Sequence, residues 1–395
     1  MKKLMLALAA TTAMTGAAFA DGHEVKIGVI LGYTGPIESL TGPMGDSAEL
    51  AMAEVNASGK FMDGKTIVSV RGDTTCVDSA AAVAATERLV TSDKVAGIVG
   101  GDCSGVTGAM LQNVARPNGV VMVSPSATSP ALTTAEDDGL FFRTAPSDAR
   151  QGQVLAELLK EKGITSAAMT YTNNDYGKGL ADSIQQNFES MGGSITISAP
   201  HEDGKGDYGA EVAALAQAGG DLLIVAGYLD QGGKGVIQGS LDTGAFDTFV
   251  LPDGMIGDSL PAAIGPDLDG SWGTVPGTDS QGVELFEANA AAAGIKTDAF
   301  SAESYDAAAL IMLAMQAAGS TNSADYKDKI LDVANAPGEP IQPGELGKAM
   351  EILAAGGDVD YVGASAVELV NGGESAGNYR EILVKGGENT TASYR

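Results

Sequence analysis

A chain of 395 residues, 44% hydrophobic and 19% charged, has the composition of a globular protein and the length of two domains. Its formal net charge of −28 repels phosphate backbones and anionic lipid, which argues against nucleic-acid binding. With two cysteines and two histidines it lacks the residues for a zinc cluster, and a histidine-based triad has at most one serious candidate, His201.

The chain opens on a leader pattern. Lys2 and Lys3 precede an apolar stretch from Leu4 to about Met14, and small residues end in Ala18-Phe19-Ala20. This is the layout of a secretory signal peptide over 1–20, so cleavage after Ala20, a mature chain from Asp21 and a periplasmic location are expected. No Cys follows the small residues, so a lipid anchor is not expected. No later stretch reaches the ~18 uncharged apolar residues of a membrane-spanning helix.

From there short β-rich runs alternate with amphipathic windows. Strands are predicted over Val25–Leu31, Thr66–Arg71, Val95–Val99, Val120–Ser124, Ala167–Tyr171, Ile195–Ala199, Leu222–Ala226 and Thr248–Leu251. Helices are predicted over Asp46–Ala57, Ser79–Val90, Ala149–Lys162 and Gly179–Met191. In Ala149–Lys162 the apolar Val154, Leu155, Leu158 and Leu159 recur at helical spacing, with Lys160 and Glu161 opposite. Repeated βαβ order with continuously apolar strands means parallel sheets covered on both faces, an α/β doubly wound fold.

Breaks fall near Phe142–Pro146, at the Gly/Pro-rich Gly273–Gly277, and from about Asn371 to Asn378. After the second break the pattern is mostly helical, over Gln281–Ala293, Ser301–Ala318 and Asp325–Ala334, and a last strand is expected over Arg380–Val384. The Pro337–Pro343 stretch reads as a surface excursion. Three crossings imply two lobes, 21–143 plus 277–377 and 144–276 plus 378–395.

Cys76 and Cys103 each follow the carboxyl end of a predicted strand, so both fall on one rim. In an exported chain a disulfide is the expectation, with two free buried thiols as the alternative. Ligands of open parallel sheets also bind beyond the carboxyl strand ends. Those positions hold Ser104 and Ser124–Pro130 in one lobe, and Asn173–Gly177, Gly227-Tyr228 and Pro252-Asp253-Gly254 in the other. Ser104 and Thr128, read as helix starts, suit a carboxylate, since free N–H groups and the helix dipole favour negative charge there. Asp253 suits an ammonium, and Tyr176 and Tyr228 supply apolar walls with hydroxyl tips. Taken singly, Ser and Thr before helices are more often plain N-caps, so the weight lies in their coincidence at matching strand ends.

At these residues the chain resembles the Leu/Ile/Val-binding protein family, periplasmic receptors of ABC importers with the type I fold. The likeness rests on VKIGVILGYTGP near the start, the Cys76 and Cys103 pair, CSG at Cys103–Gly105, SPSATSP at Ser124–Pro130, DYGKG at Asp175–Gly179 and Gly227-Tyr228. It implies ligand binding by Ser104, Ser126, Ala127 and Thr128 at the carboxylate, with Tyr176 and Tyr228 as family tyrosines. Asp253 stands where the family usually has Glu before Gly, and the disulfide would be Cys76–Cys103. It further implies a small amino-acid ligand, branched-chain-like or related, and a permease partner. Leu40, where an aromatic wall often stands, and Asp102, expected at the pocket lip, are departures that bear on side-chain preference.

A monomer is expected, with no cofactor, no metal and no catalytic residue. Gly101–Gly105 has only a superficial likeness to a hydrolase elbow. Other readings stay open: a receptor for urea, short amides or another small polar solute, a receptor that signals to a sensor protein, or an exported α/β enzyme.

Overall fold

The computed structural model describes residues 23–395, so the expected leader lies outside the described residues. In chain order the first strands are β1 (Glu24–Leu31), β2 (Thr66–Asp73), β3 (Ile98–Gly100), β4 (Met122–Ser124) and β5 (Phe141–Pro146). A second series follows: β6 (Ser166–Thr172), β7 (Ser194–His201), β8 (Leu222–Ala226), β9 (Phe249–Leu251) and β10 (Trp272–Pro276). The remainder are β11 (Glu339–Ile341), β12 (Val359–Tyr361), β13 (Leu369–Val370), β14 (Glu374–Ser375), β15 (Tyr379–Lys385) and β16 (Glu388–Tyr394).

Two seven-stranded sheets result, ordered β13-β14-β5-β4-β3-β1-β2 and β16-β15-β10-β9-β8-β6-β7, with β11 and β12 paired apart. β1 to β5 are parallel, as are β6 to β10. Antiparallel pairing enters at one edge of each, where β13 meets β14 and where β15 meets β10 and β16. Every residue of β4, β5, β8, β9 and β10 is buried, as strands covered by helices on both faces must be. The α/β fold with two parallel-dominated sheets is thus as expected.

The differences have physical causes. Phe142–Pro146 and Gly273–Gly277 do not interrupt the sheets, because Phe141–Pro146 and Trp272–Pro276 are themselves strands. Their prolines end the strands, and Gly273 is required in β10 because a Cβ there would lie 1.6 Å from the Leu251 carbonyl oxygen. The chain leaves the first sheet after Pro146, returns after Pro276 and crosses again between Ser375 and Tyr379, so position 143 falls inside β5. The first helix runs over Glu38–Ser58, eight residues ahead of the expected start, because Gly42 and Pro43 hide its first turns. The window 325–334 divides into helices Ser323–Tyr326 and Lys329–Ala334. The Pro337–Pro343 excursion contains β11, which joins β12. Helix Ser301–Ala318 is buried along nearly its whole length and packs against the Glu38–Ser58 helix and the first sheet.

Strand order reverses between β1 and β3 in one sheet and between β6 and β8 in the other. These are the switch points where the loops beyond the strands diverge and leave a crevice.

Candidate functional site

At the first switch point β3 runs into Gly101-Asp102-Cys103-Ser104, and helix Ser104–Met110 starts at once. Cys103 is joined to Cys76 by a disulfide, Cα atoms 5.2 Å apart, closing the rim as expected. Asp102 is not at the lip. It is 1% exposed, and its carboxylate accepts the Gly32 N–H at 2.7 Å and the Thr74 hydroxyl at 2.9 Å. Burial nonetheless raises its pKa. A Cβ at position 32 would lie 2.8 Å from that carboxylate and 3.0 Å from the Cys76 nitrogen, so only glycine lets β1 end this close.

The loop after β4 is tightly held. Arg143 on β5, 1% exposed, donates to the carbonyls of Ala127 at 3.1 Å and Ser129 at 2.9 Å, and pairs with Glu374 at 2.6 Å. The Ser124 hydroxyl accepts the Ala127 N–H at 2.9 Å, and the Ser104 hydroxyl accepts the Ser129 N–H at 3.0 Å. The Ser126 hydroxyl donates to the Asp102 carbonyl at 3.1 Å. Thr128 does not begin a helix. A short 3-10 turn starts after Ser129, whose own hydroxyl caps it. The Thr128 hydroxyl is buried and has no hydrogen-bond partner among the described residues.

At the second switch point Asn174 follows β6 and caps helix Asp175–Ser190 through the Gly177 N–H at 3.0 Å. This helix starts four residues before the expected Gly179 and carries Tyr176 on its first turn. The rings of Tyr176 and Tyr228 stack, centroids 5.2 Å apart and planes 14° from parallel. Tyr176 Oη donates to Asp253 Oδ1 at 2.7 Å, and the Gly254 N–H donates to the same oxygen at 2.8 Å. Asn174 Nδ2 donates to Tyr228 Oη at 3.3 Å. Burial lifts the Asp253 carboxyl to about 6 against the pull of those two donors.

Between the two sets lies a cavity of about 20 Å³, room for a water molecule and little more. Of the seven predicted ligand residues it brings together Ser104, Ser126, Tyr176, Tyr228 and Asp253. Ala127 and Thr128 are buried but do not line it. Asp102, Leu40 and Gly254 do, together with Ile37 and Phe300, which the sequence did not single out. Phe300 has a left-handed backbone, φ 64°, ahead of helix Ser301–Ala318.

Asp148, buried nearby but not lining the cavity, was also missed. It is fully buried at the start of helix Asp148–Glu161, and neither carboxylate oxygen has a hydrogen-bond partner among the described residues. Burial, and next the charge of Asp253, raise it well above the usual carboxylate range, opposed by the Arg143 charge and by the neighbouring Thr128 hydroxyl, which lies too far for a well-formed hydrogen bond. In sequence it reads as an ordinary first-turn acid after the cap Ser147, so nothing local marks it.

The two sheets' loops also touch directly. Asp230 accepts the Ser39 N–H at 2.9 Å and the Ser259 hydroxyl at 2.7 Å, and donates its own N–H to the Pro36 carbonyl at 3.0 Å. These bonds close the crevice over the cavity.

Among the described residues one group of Cys, Asp, Glu and His side chains is close enough to share a metal: Cys76, Asp102 and Cys103. Both sulfurs are consumed in the disulfide, so no thiolate is offered. His201 does not line the cavity; it contacts the Thr170 hydroxyl at 2.9 Å, and burial lowers it to about 4.

Residues 24–345 match the model of a family described as periplasmic binding protein. The Leu/Ile/Val-binding protein homolog 1 of Brucella melitensis is 29% identical over 323 residues, 80% of this chain and 84% of its own. Two solved structures share the fold. One is the branched-chain amino acid transporter substrate binding protein of Streptococcus pneumoniae in complex with isoleucine, at a TM-score of 0.77 and 23% identity, covering 94% of this chain and 99% of that one. The other is an ABC transporter solute binding protein of R. palustris in complex with benzoate, at 0.74 and 20%, covering 94% and 96%. Two sheets with facing switch points, a crevice closed by loops of both, and a match over residues 24–345 place the chain in the periplasmic binding protein family.

Proposed function

We propose that the protein is the solute-binding receptor of an ABC importer and that it closes two lobes around a small α-amino acid. The lobes are 21–143 plus 277–377 and 144–276 plus 378–395, hinged at the three crossings. The observation that carries the ligand class is the pair of buried acids. Asp253 is 1% exposed and lines the cavity, Asp148 lies buried near it without lining it, and no ammonium or guanidinium of the described residues is hydrogen-bonded to either. Without a cation such carboxyls hold their protons, and a cation from outside is what would let them ionise.

An α-ammonium answers that need, with the Tyr176 hydroxyl beside it. The carboxylate end is assigned to Ser104 and Ser126, with Ala127 and Thr128 holding the loop behind them. Tyr228 stacks over Tyr176 as one wall, and Ile37, Leu40 and Phe300 form the apolar wall for a short aliphatic side chain. The name of the Brucella relative and the isoleucine held by the Streptococcus protein agree with this ligand. The cavity is too small for an amino acid with the lobes as they stand, so entry requires opening at the hinge and binding stabilises closure.

The rest of the proposal follows the family: removal of 1–20 after Ala20, residence in the periplasm, action as a monomer, delivery to a permease, and no catalysis. Isothermal calorimetry of the mature protein against amino acids, amides, urea and benzoate tests the ligand class. Tight binding of an α-amino acid is expected. Binding of urea, amides or benzoate alone would reject it.

A further inference from the structure

Phe300 lines two cavities. Beyond it, away from Asp253, a second interlobe cavity of about 490 Å³ opens between the 283–303 region of the first lobe and β15 and β16 of the second. Most of its acids are already engaged or solvated. Asp258 pairs with Lys296 at 3.0 Å, and Asp298 accepts the Ala299 N–H at 2.8 Å and the Asp258 N–H at 3.2 Å. Two lining groups of opposite sign lack a charged partner. Glu303 is 3% exposed; its backbone carbonyl takes the Thr144 hydroxyl at 2.8 Å, but its carboxylate accepts no hydrogen bond from any other described residue. Arg380, on β15, makes no ion pair among the described residues.

We infer that this hinge-side cavity is a second binding site, for a small zwitterion whose ammonium meets Glu303 and whose carboxylate meets Arg380. Several features favour that class over its neighbours. No three carboxylates there lie close enough to share a metal ion, since the one group with that spacing among the described residues is elsewhere. A simple anion would answer Arg380 and leave Glu303 buried without a cation, and a simple cation would do the reverse. The volume admits a molecule the size of a small amino acid, which the first cavity in the same conformation does not. Burial lifts the Glu303 carboxyl to about 7, the Asp306 charge adding to it and Arg380 opposing it, the behaviour of an acid lacking a cationic partner. Because Glu303 belongs to the first lobe and Arg380 to the second, an occupant bridges the lobes and favours closure. The inference does not depend on what the first cavity holds.

Glycine is the probe, with acetate and methylammonium as its two halves, titrated into the full mature chain by calorimetry. Asp253→Asn disables the first cavity's amine partner. In that background glycine is expected to bind one to one. Glu303→Gln and Arg380→Gln should each weaken it at least tenfold, and acetate and methylammonium should each bind at least tenfold more weakly than glycine. Loss of all glycine binding in Asp253→Asn, a change under twofold in both cavity variants, or acetate binding as tightly as glycine would each overturn the inference. Should Glu303→Gln fail to fold, Arg380→Gln, at a partly exposed position, decides alone.

Discussion

Replacing Asp253 by Ala removes a buried carboxylate that holds the Tyr176 hydroxyl at 2.7 Å and the Gly254 N–H at 2.8 Å. Truncating one partner of a buried charged pair costs about 2–5 kcal/mol of binding. At ~1.4 kcal/mol per tenfold, Kd for the amino acid should rise roughly 30-fold to several thousand-fold. Asn keeps an acceptor for Tyr176 and Gly254 and removes only the charge, so it should fall at the low end. The titration of Asp253 adds a second signature. Its carboxyl sits at about 6 in the folded, ligand-free protein, and only the ionised form attracts an ammonium. Kd should therefore fall as pH rises towards about 6, by at most about tenfold per unit, and level off above; Asp253→Asn should lose that dependence. The same shift has the opposite sign for stability without ligand. An acid raised from 3.8 to about 6 on folding binds its proton more tightly when folded. Its contribution, about 3 kcal/mol, is full below pH 3.8 and is lost as pH rises through about 6. Calorimetry from about pH 5 to pH 8 measures the binding arm, and urea unfolding of the ligand-free protein measures the other. A Kd for Asp253→Ala within threefold of wild type, or no pH dependence of Kd below 7, would refute the reasoning.

Thr128→Val removes a buried hydroxyl beside Asp148, on the loop behind Ser126, so stability should change by about 1 kcal/mol or less while Kd rises about tenfold; a Kd unchanged by calorimetry would take Thr128 out of the site. Asp230→Ala deletes the acceptor of the Ser39 N–H across the crevice and of the Ser259 hydroxyl that braces it within its own lobe, so the ligand-free protein should open, its radius of gyration in X-ray scattering should grow, and Kd should rise about 5- to 30-fold; identical scattering curves would count against a latch. Cys76→Ser releases a bridge between residues 27 apart in sequence and should lower stability by about 3–4 kcal/mol in urea, with ligand stoichiometry kept; equal stability of both forms would show that the rim needs no brace. Leu40→Ala enlarges the apolar wall, so bulkier side chains should gain affinity relative to smaller ones; an unchanged order of preference would place the side chain elsewhere.

What was legible followed from periodicity and from strand ends. The buried strands of parallel sheets announce themselves as apolar runs, and the residues just past them are confined to one rim, so Ser104, Ser126, Tyr176, Tyr228 and Asp253 could be grouped before any coordinates. The Cys76–Cys103 bridge was legible for the same reason. Phe141–Pro146 and Trp272–Pro276 were less so, because proline and glycine at their ends mimic loops while the pairing partners are distant in sequence. Thr128 was misread because SPSATSP offers several capping residues and only the fold selects Ser129. Asp148 and Phe300 carry no local mark. One resembles a first-turn acid and the other a core aromatic, and each gains its place from a contact with residues far along the chain. The hydroxyl, acid and aromatic chemistry of the crevice was thus readable, while its depth and its closing bonds were not.

The most direct test of the central claim is a calorimetric comparison of one amino acid with its two truncated forms on the mature protein. Leucine, its decarboxylated amine and its des-amino acid share a side chain and differ only in the groups that the two lobes are proposed to hold. Tight one-to-one binding of leucine or a closely related amino acid, with each truncated form weaker by at least a hundredfold, is the predicted result. Equal binding of the des-amino acid, or no binding by any amino acid alongside tight binding of an amide or an aromatic acid, would contradict it.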